Sequence, residues 1–317
     1  MKILLTGANG FVGSALCAEL ERRECSVRGV VRENSRSAGL RCELVYVGDI
    51  GPATDWSEAL EGVEVVVHLA ARVHVMQEII ADQLTEFRLV NVGGTLNLAR
   101  QAAAAGVRRF VFLSSIKVNG EATQLGSPFN ADDEPLPKDS YGISKMEAEQ
   151  CLRDIARQTC MEVVIIRAPL VYGPGVKANF AVLTRWLKRG LPLPLGVIHN
   201  KRSLVALDNL VDLLVTCITH PAAANQTFLV SDGEDVSTTE LLRRMGQALG
   251  CPARLLAVPV SWLKLAAAMV GKQDVAQRLC GNLQVDISKA RKLLGWVPPV
   301  SVGEGLRRAM CVNEKSI

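Results

Sequence analysis

The sequence predicts an α/β fold: a doubly wound parallel sheet followed by a smaller, mixed α/β C-terminal region. Two observations predict it. Short apolar runs alternate with segments of helical spacing, and the first run leads straight into a glycine-rich turn. Ile3-Leu4-Leu5 reads as a buried strand and Thr6-Gly7 breaks it; Gly7, Gly10 and Gly13 then lie three residues apart, ahead of helical spacing from Ser14 to Leu20. Strand, glycine turn and helix in this order aim backbone N–H groups at a pyrophosphate, the Rossmann-type arrangement. The first glycine allows the tight turn, the second lets a ligand approach the backbone, and the third lets helix pack on strand. A tight turn without a ligand is the bland alternative. The spacing GxxGxxG also differs from the GxGxxG of simple dehydrogenases.

The later elements repeat the pattern. Val27 to Val31, Leu44 to Val47, Val63 to Leu69, Arg109 to Leu113 and Val163 to Ile166 read as further buried strands. Trp56 to Leu60, Phe87 to Ala105 and Met146 to Arg157 read as helices between them. Continuous apolar strands alternating with helices imply a parallel sheet covered on both faces, with ligands along the edge formed by the strand C-termini. Residues 1–168 are thus expected to bind a dinucleotide. Prolines and glycines crowd Pro169 to Pro194, and from there strict alternation stops. Residues 169–317 are expected to form mainly a substrate-binding region, with Leu204 to Ile218 and Thr227 to Val230 able to rejoin the sheet.

Composition narrows the partners. The net charge of +4 is small and the Lys and Arg residues are scattered, which argues against nucleic acid. Nine cysteines without a CxxC pair suggest reduced thiols rather than zinc or a disulfide framework. The four histidines lack ligand-like spacing, so no metal is expected. A strand beginning at residue 2 leaves no room for a signal peptide, and the apolar stretch Leu265 to Val270 is far short of a membrane span. A cytoplasmic protein without membrane insertion is the expectation.

Two clusters carry chemistry. Arg32 closes the second strand, where an acid would bind the ribose 2′-hydroxyl of NAD and arginine suits the 2′-phosphate of NADP. With Arg28 and Arg36 nearby, NADP(H) is favoured and NAD(H) is the alternative; a solvated basic edge is the bland reading. Asp49, closing the third strand, sits near the adenine or merely shapes a turn. Further on, Tyr141-Gly142-Ile143-Ser144-Lys145 opens a helix, placing Tyr141 and Lys145 one turn apart on one face. A nearby ammonium can lower a tyrosine pKa enough for general acid/base work. Ser115, at the end of the fifth strand, is a partner to hydrogen-bond a substrate oxygen.

With these pieces the chain resembles the extended short-chain dehydrogenase/reductase family, in its nucleotide-sugar branch. The matching segments run from Thr6 to Gly13, His68 to Ala71, Asn91 with Gly94 to Asn97, Ser114-Ser115, Tyr141 to Lys145 and Arg167 to Gly175. Arg202 ahead of Asp208-Asn209-Leu210, and Leu294-Gly295-Trp296, complete the order. The resemblance implies hydride transfer at a sugar carbon. Tyr141 would exchange a proton with the sugar oxygen, Ser115 would hydrogen-bond it, and Lys145 would bind the nicotinamide ribose. Asn9, Phe11, Val12, Ile50, Leu69, Ala70, Ala71, Asn91 and Pro169 would line the cofactor. Arg72, Lys117, Asn179 and Arg202 would meet a UDP-sugar. A homodimer through helices 82–105 and 146–157 is implied on the same ground.

The reaction follows from departures within that branch. The dehydratases of the family carry Asp-Glu directly after the catalytic hydroxyl residue, where this chain has Ile116-Lys117, so a dehydratase is disfavoured. A C4 ketoreductase and a 4-epimerase remain. Arg32, together with Lys117 and Asn119 behind the serine, favours the reductase. Ser115 to Gly120 and Arg72 to Met76 are similar to bacterial O-antigen enzymes that reduce a UDP-2-acetamido-2,6-dideoxy-4-keto-hexose to UDP-N-acetylquinovosamine. A UDP-sugar 4-epimerase with bound NAD is the alternative. The same family includes steroid-type alcohol dehydrogenases and non-catalytic NADP sensors, both weaker readings here.

Overall fold

The computed structural model describes residues 1–32, 39–73, 82–176 and 179–311. Six strands alternate with helices in the first half: β1 (Lys2–Thr6), β2 (Ser26–Arg32), β3 (Glu43–Val47), β4 (Val65–His68), β5 (Arg109–Ser115) and β6 (Glu162–Ala168). The helices among them are α1 (Phe11–Arg22), α2 (Ser57–Leu60), α3 (Gln83–Phe87), α4 (Thr95–Ala104) and α5 (Ser140–Gln158). The second half holds β7 (Leu170–Tyr172), α6 (Asn179–Lys188), β8 (Arg202–Ala206), α7 (Leu207–Thr219), β9 (Thr227–Leu229) and β10 (Asp235–Val236). Beyond them come α8 (Thr238–Ala248), α9 (Val260–Met269), α10 (Gln273–Cys280), α11 (Ser288–Leu294) and α12 (Val302–Cys311).

Seven strands form one parallel sheet in the order β3-β2-β1-β4-β5-β6-β9. The chain runs outward from β1 to β3 and then returns to β4, so the order reverses between β1 and β4. A crevice at such a reversal is where ligands enter an open α/β sheet. Alternation along the strands builds two cores. Ile3 and Leu5 point toward Leu16 and Leu20 of α1 and Leu210 and Leu214 of α7, whereas Leu4 points toward Leu98 of α4 and Leu152 of α5.

Residues 202–206 do not rejoin that sheet. β8 pairs with β7 and with β10 to make a second, three-stranded sheet. The helix that follows, α7, covers one face of the large sheet, and β9 alone adds a strand at its edge. A third core fills the space between the small sheet and α8 and α12, with Tyr172, Leu204, Leu242 and Leu306 in it. Two helix readings also change. The stretch read as one helix from Phe87 contains a π-helical segment, Arg88–Gly94. The helix opened by the tyrosine motif and the one read from Met146 are a single helix from Ser140, where the Asp139 side chain caps it by accepting from the Gly142 amide at 2.7 Å.

Candidate active site

The glycine loop lies at the reversal point and is built for close approach. Gly7 has φ +69°, and a Cβ on it would sit 3.0 Å from the Ala70 amide nitrogen on β4's extension. A Cβ on Gly13 would fall 2.0 Å from the Gly7 carbonyl oxygen, so helix and loop could not meet without glycine there. Gly10 is the N-cap of α1 and has no side chain to satisfy the first-turn amides of Phe11, Val12 and Gly13. Those donors and the positive end of the helix dipole suit an anion. Asn9 and Gly10 are exposed at the loop, and the backbone of Leu69 and Ala70, just beyond β4, stands against Gly7.

His68 holds the floor rather than a ligand. It is buried between Thr6 Oγ1 at 2.7 Å and Thr95 Oγ1 at 3.0 Å, and the Ala70 amide donates to Thr6 Oγ1 at 3.2 Å. Burial, with the Lys145 charge adding to it, pushes His68 down to about 3, so it stays neutral at physiological pH.

The tyrosine helix is fastened to the end of β5 at three heights. Gly142 touches the turn beyond Ser115, where an added Cβ would lie 2.9 Å from the Lys117 carbonyl oxygen. One turn on, Lys145 Nζ donates to the Leu113 carbonyl at 2.9 Å and lies 4.4 Å from the Phe112 ring centroid. A further turn on, Ser114 Oγ donates to buried Glu149 at 2.6 Å. Ser115 is thus flanked by residues tied to the helix that carries Tyr141 and Lys145. Ser115 also pairs in register with Ala168, which brings Pro169 to the same sheet edge.

The electrostatics differ from the simple expectation. Lys145 is buried, which pushes it down to about 7, against the opposing pull of Glu149. Burial, with the Asp139 carboxylate second, pushes Tyr141 up to about 12. Lys145 therefore does not set the direction of the Tyr141 shift: burial outweighs it, and with a pKa of about 7 the lysine carries its charge on only about half of the molecules at pH 7.

Several predicted contacts are engaged elsewhere. Lys117 forms an ion pair with Asp139, the cap of α5, so its ammonium is compensated within the protein. Asn91 donates to the Arg72 carbonyl at 3.1 Å and Ser144 Oγ at 3.0 Å, and accepts from the Arg72 amide at 2.8 Å. It ties segment 69–72 to the tyrosine helix, and it does so from the π-helical segment. Asn119 faces the interior: it accepts from Arg167, itself bound to Glu149 at 2.7 and 2.9 Å. Arg72 stands 3.8 Å from Glu86.

At the cofactor's far end, Arg28 is buried and bound to Glu43 and to the carbonyls of Glu58, Ala59 and Glu61. It is a structural arginine and not part of a basic rim. Arg32 is exposed and stands 3.7 Å from Asp49, with Ile50 following. Arg36 lies outside the described residues, as do positions 74–76 of the similarity noted above. Asn179 begins α6, and its side chain likewise lies outside what is described.

Near Arg202 lies a charge that spacing does not reveal. Arg202, on β8, donates to the Gly281 carbonyl at 3.3 Å, and burial followed by the charge of Arg278 pushes its pKa down. The charge of Arg278 in α10 thus reaches Arg202, which is held by the carbonyl of Gly281 just beyond that helix. Seventy-six residues separate them, so only the fold brings them together. Elsewhere, the thiols of Cys17 and Cys42 and the Glu21 carboxylate lie within 4.8 Å of one another, a grouping equally hidden from spacing. Burial pushes the Cys17 thiol well up, so it packs as a neutral group.

Residues 3–231 match the model of the NAD dependent epimerase/dehydratase family. The chain belongs to this family. A "UDP-glucose 4-epimerase" from Vibrio cholerae is 52% identical over 309 residues, covering 96% of this chain and 93% of that protein. The family fold recurs in the UDP-glucose 4-epimerase of Thermotoga maritima, solved with UDP-glucose (TM-score 0.79, 24% identity, 99% of each chain). It recurs also in the UDP-glucuronic acid 4-epimerase of Bacillus cereus, solved with NAD (TM-score 0.78, 22% identity, 99% of each chain). Both the epimerase/dehydratase family and its parallel sheet thus agree with the motif order read from Thr6 to Trp296.

Proposed function

We propose that this chain is a UDP-hexose 4-epimerase that keeps NAD bound through the catalytic cycle. One observation carries the proposal: the helix bearing Tyr141 and Lys145 is bolted to the strand end bearing Ser115, beside the Gly7–Gly13 loop. The α1 amides with Leu69, Ala70, Ala71 and Pro169 would hold NAD, Ser115 and Tyr141 would meet the sugar, and Arg202, with the charge of Arg278 nearby, would meet its diphosphate. The V. cholerae relative, similar along nearly its whole length, supports epimerisation over the other reactions of the family.

The chemistry supplied by NAD is reversible acceptance of the C4 hydride. Tyr141 takes the proton of the C4 hydroxyl as the hydride leaves and returns it after the keto sugar has turned over. Ser115 hydrogen-bonds the C4 oxygen in both states, which stabilises the charge developing on it. Lys145 would donate to the ribose hydroxyls of a bound NAD, which would raise the lysine pKa, and its fuller charge would then lower that of Tyr141. The tyrosine becomes an effective base only when the cofactor is in place.

Arg32 favours a second reading, an NADPH-dependent C4 ketoreductase of 4-keto-6-deoxy UDP-sugars. Asp49 weighs against it, since a carboxylate 3.7 Å from the guanidinium offsets the field a 2′-phosphate would use. Asn119 adds no weight, being held inside by Arg167. Cofactor titration separates the readings: the epimerase binds NAD more tightly than NADP, and a preference for NADP that Arg32→Asp reverses would establish the reductase.

A further inference from the structure

Helix α9 is apolar on two opposite faces, and the protein covers only one of them. Val260, Leu263 and Ala267 recur at helical spacing and turn toward the body, where Val260 and Leu263 pack on the third core. Trp262, Leu265, Ala266 and Met269 recur at the same spacing on the other side. There Trp262 is 70% exposed, Leu265 63% and Met269 74%, and no residue of the helix is buried. Gly271, at φ +66°, turns the chain into α10, extending the patch with Val270 and Val275. A helix that is apolar all round belongs in a core or at a lipid boundary.

Charge decides what covers the outer stripe. From Gly250 to Cys280 the chain carries Arg254, Lys264, Lys272 and Arg278 against Asp274 alone, and all four cations are exposed. Two copies meeting through this face would bring four cations against four across a two-fold axis, an unfavourable arrangement. A surface of anionic lipid accepts both components: apolar side chains enter the acyl boundary and Lys and Arg meet the headgroups. Tryptophan suits that boundary because its ring is apolar and its N–H needs a polar partner. Among the described residues no helix is long and apolar enough to cross a membrane.

We propose that the α9–α10 hairpin is a membrane-docking element that seats this protein on an anionic bilayer through Trp262, Leu265 and Met269, with Lys272 in the α9–α10 turn meeting the headgroups and Lys264, on the Val260 side of α9, adding only longer-range attraction. Arg278 is in α10 itself, so the diphosphate site proposed at Arg202 lies close to the membrane. The docking surface is independent of the reaction proposed above, and only that last consequence rests on it.

The test is co-sedimentation of the full chain with vesicles of phosphatidylcholine alone and of phosphatidylcholine mixed with phosphatidylglycerol. The protein is expected to partition onto the anionic vesicles roughly a hundredfold better than onto neutral ones, from three net positive charges at the surface. High salt should reduce that ratio. The triple variant W262S/L265S/M269S should stay in solution, with its thermal melt and its turnover of soluble substrate unchanged. Should that variant fold poorly, Lys264→Glu with Lys272→Glu serves instead and should abolish the preference for anionic lipid. Equal recovery with both vesicle types, or none with either, overturns the proposal. So does a dimer that the triple variant dissociates, which would identify a second copy as the occupant.

Discussion

At the scale of single residues, the proposed chemistry rests on Tyr141, one helical turn ahead of Lys145. Tyr141→Phe keeps the ring that packs edge-on against Phe87 and removes only the hydroxyl. It is expected to lower turnover by about 100-fold to 10,000-fold, the range of a general acid/base, with NAD binding unchanged in a fluorescence titration. Retained activity above a few per cent of wild type would remove Tyr141 from the chemistry. Lys145 gives a pH signature in the cofactor-free protein. Its pKa is about 7 folded and near its ordinary 10.5 unfolded, so between these values the unfolded chain binds the extra proton. Stability therefore rises with pH across that window, and is lost as pH falls through about 7. Melting temperature measured across the window should rise less steeply in Lys145→Met than in wild type; parallel curves would contradict a depressed lysine pKa. The tyrosine and lysine were both legible from their four-residue spacing. The direction of the Tyr141 shift was not, because burial depends on packing that spacing does not carry.

At the scale of elements, precision comes from backbone approach and from one buried ion pair. Gly142→Ala places a methyl 2.9 Å from the Lys117 carbonyl and forces α5 away from the strand end. A cost of about 1–3 kcal/mol is expected from overpacking, together with a fall in turnover at unchanged cofactor affinity. Thermal melts and single-turnover assays measure the two effects; a variant with wild-type turnover would show that this contact does not position Tyr141. Glu149→Ala is predicted to be more damaging. It strands Arg167, which is 1% exposed, without its carboxylate, and breaking such a pair costs about 3–5 kcal/mol. Chemical denaturation gives the value, and a loss below about 1 kcal/mol would mean that water or Asn119 compensates Arg167. The strands and glycine turn could be read from apolar runs. The π-helical segment could not, since it exists to aim Asn91 at Arg72 and Ser144 from a separate element.

At the scale of the molecule, two sheets share the work. The large parallel sheet carries the glycine loop, Ser115 and the tyrosine helix along one edge, and the small sheet carries Arg202. Asp208-Asn209-Leu210, which in sequence looked like a marker beside the substrate arginine, is a joint between them. Asn209 donates to Asp232 at 2.6 Å and to the Val300 carbonyl at 2.8 Å, fastening α7, which covers the large sheet, to the segments that lead into β10 and α12. Arg278 escaped notice because its relation to Arg202 is made only by the way α10 packs beside β8. The same distance effect assigned Arg28 to the cofactor rim, when folding delivers Glu43 and three carbonyls to it instead. Local chemistry is readable where a motif is contiguous. Where partners come from distant segments, only the fold supplies them.

The most direct measurement is a mass-balanced turnover assay on the purified protein with no cofactor added. Incubation with a UDP-hexose should interconvert the two C4 epimers to a constant ratio, with C4-deuterated substrate keeping its label at C4. Absence of interconversion, combined with stoichiometric oxidation of NADPH only when a UDP-4-keto-6-deoxy sugar is supplied, would contradict the epimerase and establish the reductase.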